Sequence, residues 1–223
     1  MIRRTAVALA LLWVALPAWS ASPSTYHGAS LQSVFTPATL EGDLDALTQR
    51  VGYPKMVGKD TYAYQVGPCR LEVVTDGLNA IQAMGVEMKS PQCAVNLNRF
   101  MGDESVPLRN LRMGTLHRNV GGEYRADCLI DCVRGLYPRV YLYLQGYHAN
   151  RDIDVRLSTI APDVATQWGA TFIQKGDEGY VRSRNVQCKA HTQAVPASVE
   201  KLPITRVDVG YDLDPAKCPR DEH

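Results

Sequence analysis

The sequence predicts an α+β fold built on antiparallel sheets and stapled by disulfides. Three observations predict it. Strand-like segments outnumber helical ones and follow one another through short turns. The strongest of those turns, Asp76-Gly77, lies between two β-rich runs. Six cysteines, an even number, all lie after an N-terminal export signature: Cys69, Cys93, Cys128, Cys132, Cys188 and Cys218.

That signature occupies residues 1–20. Arg3 and Arg4 precede an apolar run from Ala6 to Leu16, and Ala18-Trp19-Ser20 supplies the small residues of a cleavage site. The run is about eleven residues long against the ~20 needed to cross a bilayer, so a removed signal peptide is expected and a membrane span is not. No Cys follows closely, so a lipid anchor is not expected either. The chain from Ala21 is then expected in the periplasm or outside the cell. Its formal charge is +1 before Arg3 and Arg4 are lost. A near-neutral chain has no electrostatic footprint for nucleic acid.

The elements follow in order. Tyr26 to Phe35 reads as a loose extended lead. Thr36-Pro37 starts a helix, with Thr as N-cap, and Leu40, Leu44, Leu47 and Val51 form its apolar stripe up to Gly52 and Pro54. Thr61–Val66, Arg70–Thr75 and Ala80–Met88 read as strands, the last two joined at Asp76-Gly77. Ser90-Pro91 restarts a helix through Val95, Leu97 and Phe100 to Gly102. Asp103 to Gly122 is polar and broken by Pro107, Gly114 and Gly121-Gly122, which places a boundary there. Two small units are expected, 25–105 and 106–223.

In the second unit Tyr124–Ile130, Arg139–Leu144, Asp152–Thr159, Tyr180–Lys189 and Ile204–Tyr211 read as strands. Asp152–Thr159 alternates, with Ile153, Val155 and Leu157 on one face and Asp152, Asp154, Arg156 and Ser158 on the other. Pro162-Asp163 opens a helix carrying Val164, Trp168 and Phe172, and a shorter one covers Ala197 to Lys201.

Six cysteines allow fifteen pairings. Cys128 and Cys132 are roughly 13 Å apart on a strand and ~6 Å apart at Cβ on a helix, so each is expected to pair with a distant partner. Cys69 begins the first hairpin strand, and Cys93 lies just after the second, so those two are the preferred first bridge. The alternative for Cys128, Cys132, Cys188 and His191 is a metal site. Oxidising export favours disulfides, and no metal or cofactor is expected.

The order of helix, Gly-x-Pro and meander with an Asp-Gly turn resembles the small module of β-lactamase-inhibitory-protein-like proteins and BamE-like (SmpA/OmlA) envelope proteins. Leu40 to Pro54, Tyr62-Ala63-Tyr64 and Leu71 to Gly77 carry the resemblance, about a third of the chain. It implies a non-enzymatic protein that binds other proteins through an exposed sheet face. The chain departs from BamE in lacking a lipid-anchor Cys.

Candidate chemistry is sparse. There is no Gly-x-Ser-x-Gly elbow and no Ser-x-x-Lys. Asp152-x-Asp154 is the one close carboxylate pair on a regular element, and alternation explains it as the wet side of a strand. Arg109, Arg112, His117, Arg118 and Arg125 form a basic cluster that reads as a solvated loop. The residue types that anchor protein interfaces are more suggestive. Arg139, Tyr141 and Tyr143 share one parity of a strand whose other parity is aliphatic, with Tyr137 and Tyr147 beyond its ends. They face outward if the aliphatic side is core. The competing reading covers both faces, with the tyrosines under the Trp168 helix. The leading expectation is an exported, non-enzymatic protein-binding module of the inhibitor or immunity-protein type, acting by steric blocking of another envelope or secreted protein. A small hydrolase using Asp152, Asp154 and His148, or a structural envelope component, is the alternative.

Overall fold

The computed structural model describes residues 28–101, 111–126, 129, 138–145, 153–173, 195–211 and 213. Side-chain caps start the first helices. Ser30 accepts from the Ser33 amide at the head of α1 (Leu31–Val34), and Thr36 from the Thr39 amide at the head of α2 (Pro37–Leu40). Asp43 does the same for Ala46 at 2.7 Å, opening α3 (Leu44–Val51), which ends at Gly52 with φ +100°.

The expected single helix from Pro37 to Val51 is therefore two, and the expected extended lead contains a helical turn. The break falls at Gly42-Asp43, where the backbone bonds to the sheet. Gly42 carbonyl accepts from Ile81, and the Leu44 amide donates to Asn79. A bridge and a cap at Asp43 together outweigh the helix bonds lost there.

Four antiparallel strands follow: β1 (Lys55–Gly58), β2 (Thr61–Val66), β3 (Cys69–Thr75) and β4 (Ile81–Glu87). The turn between β3 and β4 is built by Asp76, whose Oδ1 accepts from the Leu78 and Ala80 amides at 2.8 and 2.9 Å. Cys69 and Cys93 are bridged, with Cα atoms 5.4 Å apart, as expected; the link ties the start of β3 to a 3₁₀ turn at Pro91–Cys93. That turn and α4 (Asn98–Met101) stand where one helix was expected. An edge-to-face contact of Phe35 on Phe100, centroids 5.3 Å apart, holds α1 against α4.

Further along the chain, α5 (Met113–Val120) leads into β5 (Glu123–Ala126), β6 (Arg139–Leu144) and β7 (Ile153–Ile160). Then come α6 (Pro162–Ile173), α7 (Ala197–Glu200) and β8 (Arg206–Tyr211). The helix α5 was not expected, because Gly114 reads as a breaker. In the fold Gly114 is a contact residue: a Cβ there would press into the Glu200 backbone of α7.

The strands form one antiparallel sheet in the order β1-β2-β3-β4-β8-β7-β6-β5. Strands from either side of the expected boundary are neighbours, β4 pairing with β8 from Ala83↔Gly210 to Glu87↔Arg206. The helices contribute to one face. Leu40, Leu44, Leu47, Met113, Leu116, Trp168 and Val199 share a buried cluster with Tyr64, Leu71, Val73, Met84, Val207, Val155 and Leu142. Each such fully buried aliphatic contributes about 1.5–3 kcal/mol. Among the described residues no helix is long and apolar enough to cross a membrane.

Candidate functional site

The sheet register fixes what stands on the face away from the helices. Arg70, Glu87, Arg206, Ser158, Tyr141 and Arg125 form one row across the strands, and Glu72, Gly85, Asp208, Arg156, Tyr143 and Glu123 the next. Alternation alone makes these rows polar. Their charges then pair laterally. Arg70 meets Glu72 at 2.7 Å, and Arg206 reaches Glu72 and Asp208, each at 2.7 Å. Arg156 meets Asp208 at 3.2 Å and lies 5.7 Å above the Tyr141 ring.

Gly85 makes this chain of contacts possible. It pairs with Glu72 on one side and Asp208 on the other, so Arg206 must cross it to join them. A Cβ at Gly85 would collide with Asp208 Oδ1 and Arg206 Nη2. Burial opposes the charge on Arg206, but Asp208 and then Glu72 more than offset it, so its pKa is raised.

Of the two readings of Tyr141 and Tyr143, facing outward or lying on a strand covered on both faces, the structure bears out the second. They are only 1 % and 3 % exposed, and neither belongs to the apolar cluster under the helices. The aliphatic parity of β6 does face that core, so the sheet is covered on both sides here. Guanidinium groups contribute to that cover: Arg125 lies 4.3 Å above the Tyr143 ring and pairs with Glu123 at 2.8 Å. Tyr143 donates its hydroxyl to Asp154 Oδ2 at 2.6 Å. Arg139 is half-buried on the same parity. Tyr137 and Tyr147 lie outside the described residues, as do Cys128, Cys132, Cys188 and Cys218.

The same burial corrects the wet side of β7. Asp154 and Ser158 are buried, and Asp154 also accepts from the Leu213 amide at 3.1 Å. That carboxylate is held by structural donors. Asp152 and His148, its proposed companions in a hydrolase, lie outside the described residues. The basic cluster is dispersed. Arg112 donates to the Lys201 carbonyl and Arg118 pairs with Glu200, while Arg125 is on the sheet and Arg109 is not described. His117 lies against the ring of Tyr124, centroids 4.7 Å apart. Burial pushes the Tyr124 hydroxyl up to about 12. Among the described residues no cluster of His, Cys, Asp and Glu could hold a metal ion.

Exposed apolar side chains gather elsewhere. Among the described residues the large ones are Tyr53, Met56, Val57, Val74, Leu78 and Ile160, and all but Ile160 belong to the β1–β4 part of the sheet. Tyr53 and Leu78 are each 89 % exposed, and Met56 is 64 % exposed. Val74 pairs with Thr61, which pairs with Gly58, so Val74 stands two strands in from Val57. The Thr75 amide donates to the Asp60 carbonyl, which brings the β1–β2 turn beside the Leu78 turn. β1 itself is exposed along its whole length, whereas β5, at the opposite edge, is buried beyond Glu123. Sequence reasoning missed this surface because Lys55-Met56-Val57-Gly58 neither alternates nor has strand length.

Comparison with protein-family models, curated proteins and solved structures returns no match.

Proposed function

We propose that the protein is an exported binding module, acting by docking to another envelope or secreted protein. One observation carries the reading: the exposed apolar side chains gather at the β1 edge and its neighbouring turns. Large apolar side chains left exposed in one part of an otherwise well-packed protein mark a candidate interaction site. Several features lower the ordering cost of binding. Asp76 rigidifies the Leu78 turn, the Cys69–Cys93 bridge fixes β3, and the Arg206 ion pairs hold β3, β4 and β8 together. The effect on a partner is steric. Where the docked surface adjoins an active cleft, the result is inhibition.

A photo-crosslinking residue at Val57, in the disulfide-intact protein incubated with envelope extract of its source, tests this. The expected result is a discrete adduct that disappears when Met56→Asp and Leu78→Asp are added, with the melting temperature unchanged. No adduct, or one indifferent to those substitutions, overturns the reading. So does turnover of a peptidoglycan, ester or phosphate substrate by the purified chain.

A further inference from the structure

We infer that the outer edge of β1 receives an extended, acidic segment of the partner as an added strand. This rests on the docking reading above and names the kind of partner and its mode of attachment. An edge strand offers backbone N–H and C=O groups that its own sheet leaves unpaired, and an extended peptide satisfies them by continuing the ladder. Among the described residues the sheet has two edges, and of these only β1 is exposed throughout. Met56 and Val57 on the strand and Tyr53 before it give an incoming peptide apolar side chains to cover.

Charge selects the occupant. Lys55 at the head of β1 and Lys59 just after it are both exposed, and neither ammonium has a carboxylate partner among the described residues. The arginines of the neighbouring sheet face are different: Arg70, Arg125, Arg156 and Arg206 are all paired with carboxylates. Lysines on an edge repel basic strands and favour acidic ones. The register shift between Met56 and Gly58 further restricts casual pairing.

A second copy of this chain fits the edge poorly. Two β1 strands side by side would crowd their lysines together.

The test uses the disulfide-intact mature chain and a fluorescent synthetic peptide alternating valine with glutamate. Anisotropy is expected to show saturable binding that weakens steeply with salt. Replacing glutamate by lysine, or N-methylating the peptide backbone at alternate positions, is expected to weaken it at least about tenfold. The charge-reversed variant Lys55→Glu with Lys59→Glu is expected to prefer the lysine peptide instead. Equal binding of both peptides, or indifference to N-methylation, overturns strand addition. A concentration-dependent dimer that excludes the peptide overturns it in favour of self-pairing. An adduct at Val57 together with either result leaves docking standing and removes only this mode of it.

Discussion

Replacing Gly85 by alanine tests the central claim about the polar face, that its charges are a packed structural device. On an ordinary strand, Gly→Ala is neutral or stabilises by about 0.5–1 kcal/mol, because it removes unfolded-state freedom. At Gly85 the sign reverses. The new methyl would occupy the space of Asp208 Oδ1 and Arg206 Nη2, and β4 cannot retreat because β3 and β8 pair with it on either side. Arg206 must swing out, giving up Glu72 and Asp208 at once. Breaking a buried pair costs ~3–5 kcal/mol. Glu72 keeps some solvent access, so about 2–4 kcal/mol is the better expectation here.

Urea unfolding of the disulfide-intact chain reads this as a lower midpoint at unchanged slope. Gly77→Ala is the control, since nothing lies within 4 Å of its Cβ position, and it is expected within about 0.5 kcal/mol of wild type. In a background carrying Arg206→Ala and Asp208→Ala, the cost of Gly85→Ala should fall below about 1 kcal/mol. A Gly85→Ala protein as stable as wild type, or an undiminished cost in that background, refutes the reasoning.

Removing the Cys69–Cys93 bridge by paired alanine substitutions opens a link of sequence separation 24, for which the chain-entropy relation gives about 3.5 kcal/mol. Calorimetry checks the loss, and non-reducing peptide mapping checks the pairing. Asp154→Ala strands the buried Tyr143 hydroxyl and should lower stability by about 1–3 kcal/mol, measured by thermal melting; an unchanged melting temperature would contradict its structural role. The Tyr124 pKa is raised from 10.0 to about 12 in the fold, so the stability it contributes is complete below pH 10 and is lost as pH rises from 10 towards 12. Tyr124→Phe should remove that alkaline loss. Because the hydroxyl has no hydrogen-bond partner among the described residues, the substitution should cost nothing at neutral pH, as read from melting curves at both pH values.

What the sequence made legible was local. Asp76-Gly77 marked its hairpin because side-chain capping of a turn needs only neighbouring residues, and that hairpin brought Cys69 near Cys93. The apolar parities of β6 and β7 were equally plain. The other parity was misleading. Tyr141, Asp154 and Ser158 alternate as a solvated face would, yet they are buried, partly beneath guanidinium groups from adjacent strands. No window along one strand carries that information. Gly114 failed in the opposite direction, since its small size serves a contact with Glu200, far away in the chain. For the candidate surface, Tyr53, Met56 and Val57 become informative only when β1 is known to be an open edge.

The position of β8 constrains how the molecule assembles. It lies between β4 and β7, although it is the most C-terminal of the described strands. Arg206–Tyr211 alone pairs with both β4 and β7, so a chain lacking that segment would leave the margins of β4 and β7 facing each other unpaired. Any event that delays or removes that segment leaves both margins available to strangers, which makes the interval before completion the period of greatest risk for misassembly.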